Sequence, residues 1–375
     1  MKWNILIVLG LFCNACNTPT EETPTPNTTT IETPSPPKFK EQLPRLAEMT
    51  TAVDNLRLRE SPGSDGKEVM RLPEKSVVIP TGEKTDLKQV VALRGLSYNE
   101  PWIEVKIDEV NSGWLYAGAI DLDPNKSQFA KELFDLRMRR FFGSSREDLN
   151  IYRILLENVK TAADLKTAYE KGLAIKEEIS AAFQKRSRVE DLPMDIELSW
   201  IHTAYPGFLP TKVAEATEIA FLPDLNQMIE KAELTPEKDD DEAFKFLKSV
   251  NGGYSLLLFF RDWYIQTTDF GGVSELGSNK HFQHLEAAKL LFDANNIFSE
   301  GFIREECNQI VSDIVNNEVG YQRGKDAVLS EIRTIEQANY DFLSEEQKIS
   351  IVNRIKEFDD PKANKIYLNE RVGKY

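Results

Sequence analysis

Between residues 53 and 116 the apolar positions recur with a period of two, in short runs. Val53 is followed by Leu56 and Leu58, set between Asn55, Arg57 and Arg59, the pattern of a strand with one buried face. A turn is predicted at Pro62-Gly63-Ser64-Asp65-Gly66, and β-rich runs follow at 69–72, 77–79, 89–93, 102–107 and 114–116, each bounded by Gly, Asn or Pro. This many short strands predicts a small closed β-barrel over residues 50–122. After Asp123-Pro124 the period lengthens to three or four and stays so, which predicts an all-helical domain over 123–375. Ser127, Ser145, Thr161, Thr211, Thr235, Ser299 and Ser344 each precede an amphipathic run as candidate caps. Phe129, Leu133 and Leu136 form one apolar stripe, and Ile303, Cys307, Ile310, Val311 and Ile314 form another. Residues 256–260, with Trp263 and Ile265, are apolar nearly all round and read as a buried central helix too short to cross a bilayer. No fixed-period repeat is visible.

The N-terminus has a different pattern. Met1-Lys2 and the apolar run 3–12 read as a secretory signal, predicted to occupy residues 1–15. The run is shorter than the ~20 residues of a spanning helix. Next comes Cys13-Asn14-Ala15-Cys16, which resembles the lipobox of bacterial lipoproteins, with Cys13 standing where that family prefers Leu. The resemblance implies diacylglyceryl and palmitate attachment at Cys16 and anchoring to the outer membrane, on its periplasmic or surface face. Glu21 and Glu22 resemble the export signal of lipoproteins in the Bacteroidota, without the Lys that often precedes it. Residues 16–49 alternate Thr with Pro and bury almost nothing, so they are read as an extended spacer.

Composition narrows the role. The chain has 375 residues, 41% hydrophobic and 29% charged, the balance of a soluble globular protein. A net charge of -15 repels phosphate backbones and argues against nucleic-acid binding. Once the signal is removed and Cys16 acylated, Cys307 is the last free thiol, so no internal disulfide is expected.

Four linked segments carry a second resemblance. Asn55-Leu56-Arg57-Leu58-Arg59-Glu60-Ser61-Pro62, Val69-Met70-Arg71-Leu72-Pro73-Glu74, Pro101-Trp102-Ile103-Glu104-Val105-Lys106 and Ser112-Gly113-Trp114-Leu115-Tyr116-Ala117-Gly118 together resemble the successive strands of a bacterial SH3-like domain. An insertion between Thr81 and Glu100 is expected to add a hairpin. The resemblance implies a targeting module for cell-wall peptides or glycans, and no catalytic residues. Trp102, Trp114 and Tyr116 are the candidate ligand-binding residues, because indole and phenol rings offer flat apolar area together with a hydrogen-bonding tip. Trp102 lies on the strand face opposite Ile103, Val105 and Ile107, which predicts partial exposure.

Other candidates lie in the helical part. His281 and His284 are one turn apart, but no third ligand follows at a recognised spacing, so no metal is predicted. His202, near Trp200, Tyr205 and Phe208, reads as a structural histidine or an acid–base group. Cys307 reads as an inert core thiol. Asp239-Asp240-Asp241-Glu242 reads as a solvated helix start, and the pairs Gly252-Gly253 and Gly271-Gly272 as helix breaks. No cofactor is implied. The sequence thus predicts a lipid-anchored envelope protein with an SH3-like binding module and a helical interaction domain, its partner being peptidoglycan or an envelope protein. The alternative is a cell-wall hydrolase targeted by the small β-domain.

Overall fold

The computed structural model describes residues 43–86, 89–192, 196, 198–213, 218–251, 261–266, 272–360 and 367–368. The signal sequence, Cys16, the spacer up to residue 42, residues 256–260, Gly252-Gly253 and Gly271 lie outside the described residues. Leu43–Tyr375 form one compact unit.

Its N-terminal part carries β1 (Met49–Thr51), β2 (Leu56–Arg59), β3 (Glu68–Leu72), β4 (Val77–Lys84), β5 (Gln89–Leu93), β6 (Leu96–Glu100), β7 (Trp102–Lys106), β8 (Ser112–Tyr116) and β9 (Ile120–Asp121). Seven of them pair in the order β3-β2-β8-β7-β4-β1-β9, every pairing antiparallel. The segments that carried the SH3-like resemblance thus lie on the neighbouring strands β3, β2, β8 and β7. Strand β4 changes partner along its length, from β1 at Val77–Val78 to β7 from Ile79 onward, and its register shifts between Pro80 and Lys84. Gly82 sits in that shift at φ +97°, a conformation that favours glycine.

The expected closed barrel is not formed among the described residues: β3 and β9 are unpaired edges. The physical reason lies beside β9, where the Arg137 guanidinium, and not another strand, takes the carbonyls of Ala117 (2.8 Å) and Ile120 (3.3 Å). The predicted hairpin in the insertion is present as β5–β6. Its two-residue turn, Arg94-Gly95, has positive φ at both positions (47° and 74°), as a tight hairpin turn of that twist requires.

Downstream lie α1 (Gln128–Phe142), α2 (Arg146–Glu157), α3 (Ala162–Gln184), α4 (Ser199–Ala204), α5 (Leu225–Ala232), α6 (Asp239–Val250), α7 (Lys280–Asp293), α8 (Arg304–Val315), α9 (Lys325–Ala338) and α10 (Glu345–Asp359). The region is mostly helical but not all-helical. It also holds the hairpin β10 (Phe208–Val213) and β11 (Glu218–Pro223), and a small mixed sheet of β12 (Tyr264–Gln266), β13 (Gly272–Ser274), β14 (Gly320–Tyr321) and β15 (Tyr367–Leu368). Thr211, read as a helix start, is inside β10. Pro206 and Pro210 withhold backbone N–H groups from a helix, while Ile219 and Phe221 alternate inward on β11. Ile265, read as the end of a central helix, lies in β12, and Gly272, read as a helix break, lies in β13. A Cβ at Gly272 would stand 2.4 Å from the Ile265 carbonyl oxygen, so that pairing requires glycine.

Caps at Ser127, Thr161 and Ser344 bond their helix starts; the last two form capping boxes with Asp164 and Gln347. Ser145 instead donates to Glu178, Thr235 to Asp240, and Ser299 opens a π-type turn before α8. A single apolar core runs from Met49 and Leu58 through Phe141 and Phe221 to Phe358. At its junction Arg137 of α1 meets Glu100 of β6 in a buried bidentate pair at 2.7 and 3.1 Å. The same guanidinium packs over Tyr98 and Trp200. The β5–β6 hairpin adds backbone bonds between Ser97 and Arg186 and between Arg188 and Gly95. No helix among the described residues is long and apolar enough to cross a membrane.

Candidate functional site

The sequence-predicted aromatic trio shares one face of β7 and β8, where Trp102 stands opposite Tyr116 and Glu104 opposite Trp114. Two of the three are covered. Trp102 and Tyr116 are each 4% exposed, their rings edge-on at 5.7 Å, so Trp102 is buried and not partly exposed. The reason is the start of β5, which lies over this end of the face. Gln89 Oε1 accepts from the Trp102 indole (3.2 Å), and its carbonyl accepts from the Tyr116 hydroxyl (2.6 Å). Tyr116 in turn accepts from the Glu100 N–H at 3.0 Å, and its burial pushes the phenol up to about 12. Trp114, half-buried, remains at the open end. Across the sheet it lies between Arg59 of β2 and Glu104 of β7 in direct register, with Thr81 donating to Glu104 at 2.8 Å. The three residues are aligned in backbone register, while the Arg59 guanidinium itself donates to the Gly66 carbonyl and lies over the Trp102 ring at 5.9 Å. The pairing of Arg59 and Glu104 with Trp114 is set by register, which the sequence alone did not supply.

The described histidines are each placed differently. His202 is partly exposed on α4. On α7, His281 donates through Nε2 to Asp313 at 2.7 Å and His284 to Asp262 at 3.2 Å, with the Trp263 ring packed against both imidazoles. Ser274 donates to the same Asp313 oxygen at 2.6 Å. A carboxylate therefore bridges serine and histidine here. A nucleophilic triad needs the histidine in the middle, and both Ser274 and His281 have no exposed surface. Burial lowers the His284 pKa against the opposing pull of Asp262. Among the described residues no group of three or more His, Cys, Asp or Glu side chains is placed to hold a metal ion. Cys307 is 1% exposed in the α8 stripe, and burial pushes its thiol up to about 12, out of the range of a thiolate nucleophile. The acidic run Asp239–Glu242 opens α6, yet Asp240 is fully buried and not solvated; it accepts from Thr235, and burial raises its carboxyl.

A second site emerges from packing. Helices α3, α6 and α8 and the end of β11 enclose a half-open cleft of about 340 Å³. Tyr169, Leu173, Leu247 and Phe302 supply apolar wall, and Glu306, Arg261 and Gln309 supply the polar end. Arg261 holds Glu306 Oε1 at 3.0 Å and Gln309 at 3.2 Å, and also bonds Asn251. Glu306 is 7% exposed, and burial raises its carboxyl above the ordinary range despite Arg261. Its Oε2 has no hydrogen-bond partner among the described residues. The sequence held a signal for this residue: Glu306 lies three after Ile303 and four before Ile310, on the apolar stripe of α8.

With fold and sites described, comparison with known proteins adds nothing further: no family model, no curated protein and no solved structure matches this chain.

Proposed function

We propose that this chain is a lipid-anchored envelope protein of the binding kind, tethered through Cys16 to the outer membrane. In this reading its antiparallel sheet is an SH3-like module that engages cell-wall peptide or glycan, and the helical region braces that module or meets an envelope protein. The observation that carries the binding reading is the half-open row Arg59–Trp114–Glu104 across β2, β8 and β7. A half-buried ring beside the Glu104 carboxylate, with the Arg59 guanidinium held over the neighbouring Trp102, suits a ligand with an apolar or sugar face and hydrogen-bonding groups. The alternative, a wall hydrolase, draws no support from the thiol and serine considered above, because Cys307 and Ser274 are both buried.

One experiment separates these readings. A soluble form of residues 40–375 is mixed with purified peptidoglycan, sedimented, and the supernatant analysed for released muropeptides by mass spectrometry. Co-sedimentation without release, lost on Trp114→Ala in a folded protein, is the expected result. Release of fragments would establish the hydrolase, and the absence of both binding and release would overturn the wall-binding reading and point to a protein partner. The tether is tested apart: Cys16→Ser should abolish partition of the full chain into detergent.

A further inference from the structure

We infer that Arg57 of β2 and Arg71 of β3 together bind a free carboxylate of cell-wall peptide, in competition with Glu68 of the same chain. The inference rests on the reading of this sheet as a wall-binding module, and it narrows the ligand from peptide or glycan to peptide.

Strands β2 and β3 pair with Arg57 directly opposite Arg71 and Arg59 opposite Glu68. Leu58 and Leu72, one residue further along each strand, are buried, so the arginines stand on the outward face. Both are 51% exposed. Like charges placed directly opposite one another destabilise a strand pair. The chain holds 61 acidic residues against 46 basic ones, so anionic partners are plentiful in the sequence. Yet these two guanidinium groups share a single carboxylate, Glu68, at 3.3 Å from Arg57 Nε and 2.9 Å from Arg71 Nε. Two cations and one anion leave one positive charge uncompensated. A local arrangement that costs stability without a structural return is where function is expected.

Glu68 itself displays what the pair can hold. Arg57 approaches its Oε2, while Arg71 donates to Oε1 at 2.9 Å and to Oε2 at 3.5 Å, so one carboxylate is gripped from two strands. The Arg71 hydrogen bond holds the Glu68 carboxyl below its ordinary range, and the charges of Arg57 and Arg59 add to the pull. The grip is open to solvent, because the Glu68 side chain is itself 38% exposed. The Arg57 Nη groups donate to nothing among the described residues. Arg59, the third cation on this face, is committed elsewhere, to the Gly66 carbonyl and the Trp102 ring.

The guanidinium fork matches the two oxygens of a carboxylate or a phosphate. One unit of uncompensated charge favours the singly charged carboxylate over a doubly charged phosphate. A peptide chain ends in a carboxylate, whereas an unmodified sugar ring carries none. Half-buried Trp114, opposite Arg59 on the same face, is placed to meet the apolar part of such a peptide.

The test sediments the full chain carrying Cys16→Ser with purified peptidoglycan, and with the same peptidoglycan after carbodiimide and ammonium have converted its free carboxylates to amides. Amidation should weaken binding about fivefold, the scale of charge pairs formed in water. Arg57→Gln and Arg71→Gln should each weaken binding to the untreated wall and remove most of the difference between the two walls, with circular dichroism unchanged. Glu68→Gln removes the competing charge and should tighten binding to the untreated wall about threefold, a gain that a merely structural role for these ion pairs would not produce. Equal binding to both walls, a difference that survives in both arginine variants, or no gain in Glu68→Gln would each overturn the carboxylate site and leave wall binding standing. Sedimentation with neither wall would overturn both.

Discussion

Three charged residues occupy positions that the local pattern reserves for apolar side chains. Arg137 lies four after Leu133 and four before Phe141 on the buried stripe of α1, and Glu100 falls on the inward phase of β6 with Leu96 and Tyr98. Glu306 does the same on α8. Arg137 and Glu100 neutralise one another while each is only 1% exposed, so removing one partner strands the other. Arg137→Met alone should cost about 3–5 kcal/mol in urea unfolding, and adding Glu100→Leu should recover much of that loss. A double variant no more stable than the single one would show that the pair does not behave as a unit. His284 gives a second residue-scale test. Burial holds its folded pKa below the unfolded value, so the unfolded chain binds this proton more readily. Its contribution is full above the unfolded pKa of about 6.5 and is lost as pH falls through the window beneath it. The Tm advantage of the wild type over His284→Gln should therefore shrink between about pH 7.5 and pH 5.5. A constant difference would mean that the histidine titrates as it does in the unfolded chain.

At the scale of elements, several helix ends and strands depend on partners distant in sequence. Helix α7 has no side-chain cap of its own: Asn279 sits at φ +69° and its side chain accepts nothing from the first-turn N–H groups. Glu331 of α9 supplies the cap instead, accepting from the N–H groups of Gly277 (2.5 Å), Asn279 (2.9 Å) and Phe282 (3.1 Å) while 1% exposed. An anion at a helix N-terminus also opposes the helix dipole. Glu331→Ala leaves buried donors without acceptors, and a loss of about 3 kcal/mol or more is expected in thermal or urea unfolding. A loss under about 0.5 kcal/mol, the range of an ordinary surface change, would show that water replaces the carboxylate. The β5–β6 hairpin works in a similar way: Gln89 covers Trp102 and Tyr116, and the Arg94-Gly95 turn reaches the segment after α3.

For the molecule as a whole, the continuous core and the Arg137–Glu100 pair join sheet and helices into one unit. Trp102 and Trp114 report on the sheet, Trp200 and Trp263 on the helical region, and far-UV circular dichroism chiefly on helix. A single coincident transition by fluorescence and circular dichroism is therefore expected. Two separated transitions would show that the regions fold independently despite the shared core.

The sequence by itself determined the strand-rich and helix-rich halves, the position of the inserted hairpin, three helix caps and the inert burial of Cys307, because these follow from local period and turn chemistry. It also raises the expectation of an N-terminal lipid address, a resemblance resting on Ala15 and Cys16 that lies outside the described residues. Only the tertiary structure decided that the sheet stays open, that Trp102 is covered, that β10 pairs antiparallel with β11, and that Glu306 lines a cleft. Each of those depends on which distant segments pack together, Arg137 beside Ala117 and Ile120, Gln89 over Trp102, α8 against α3 and α6, and long-range pairing leaves only a charge out of place in the local pattern.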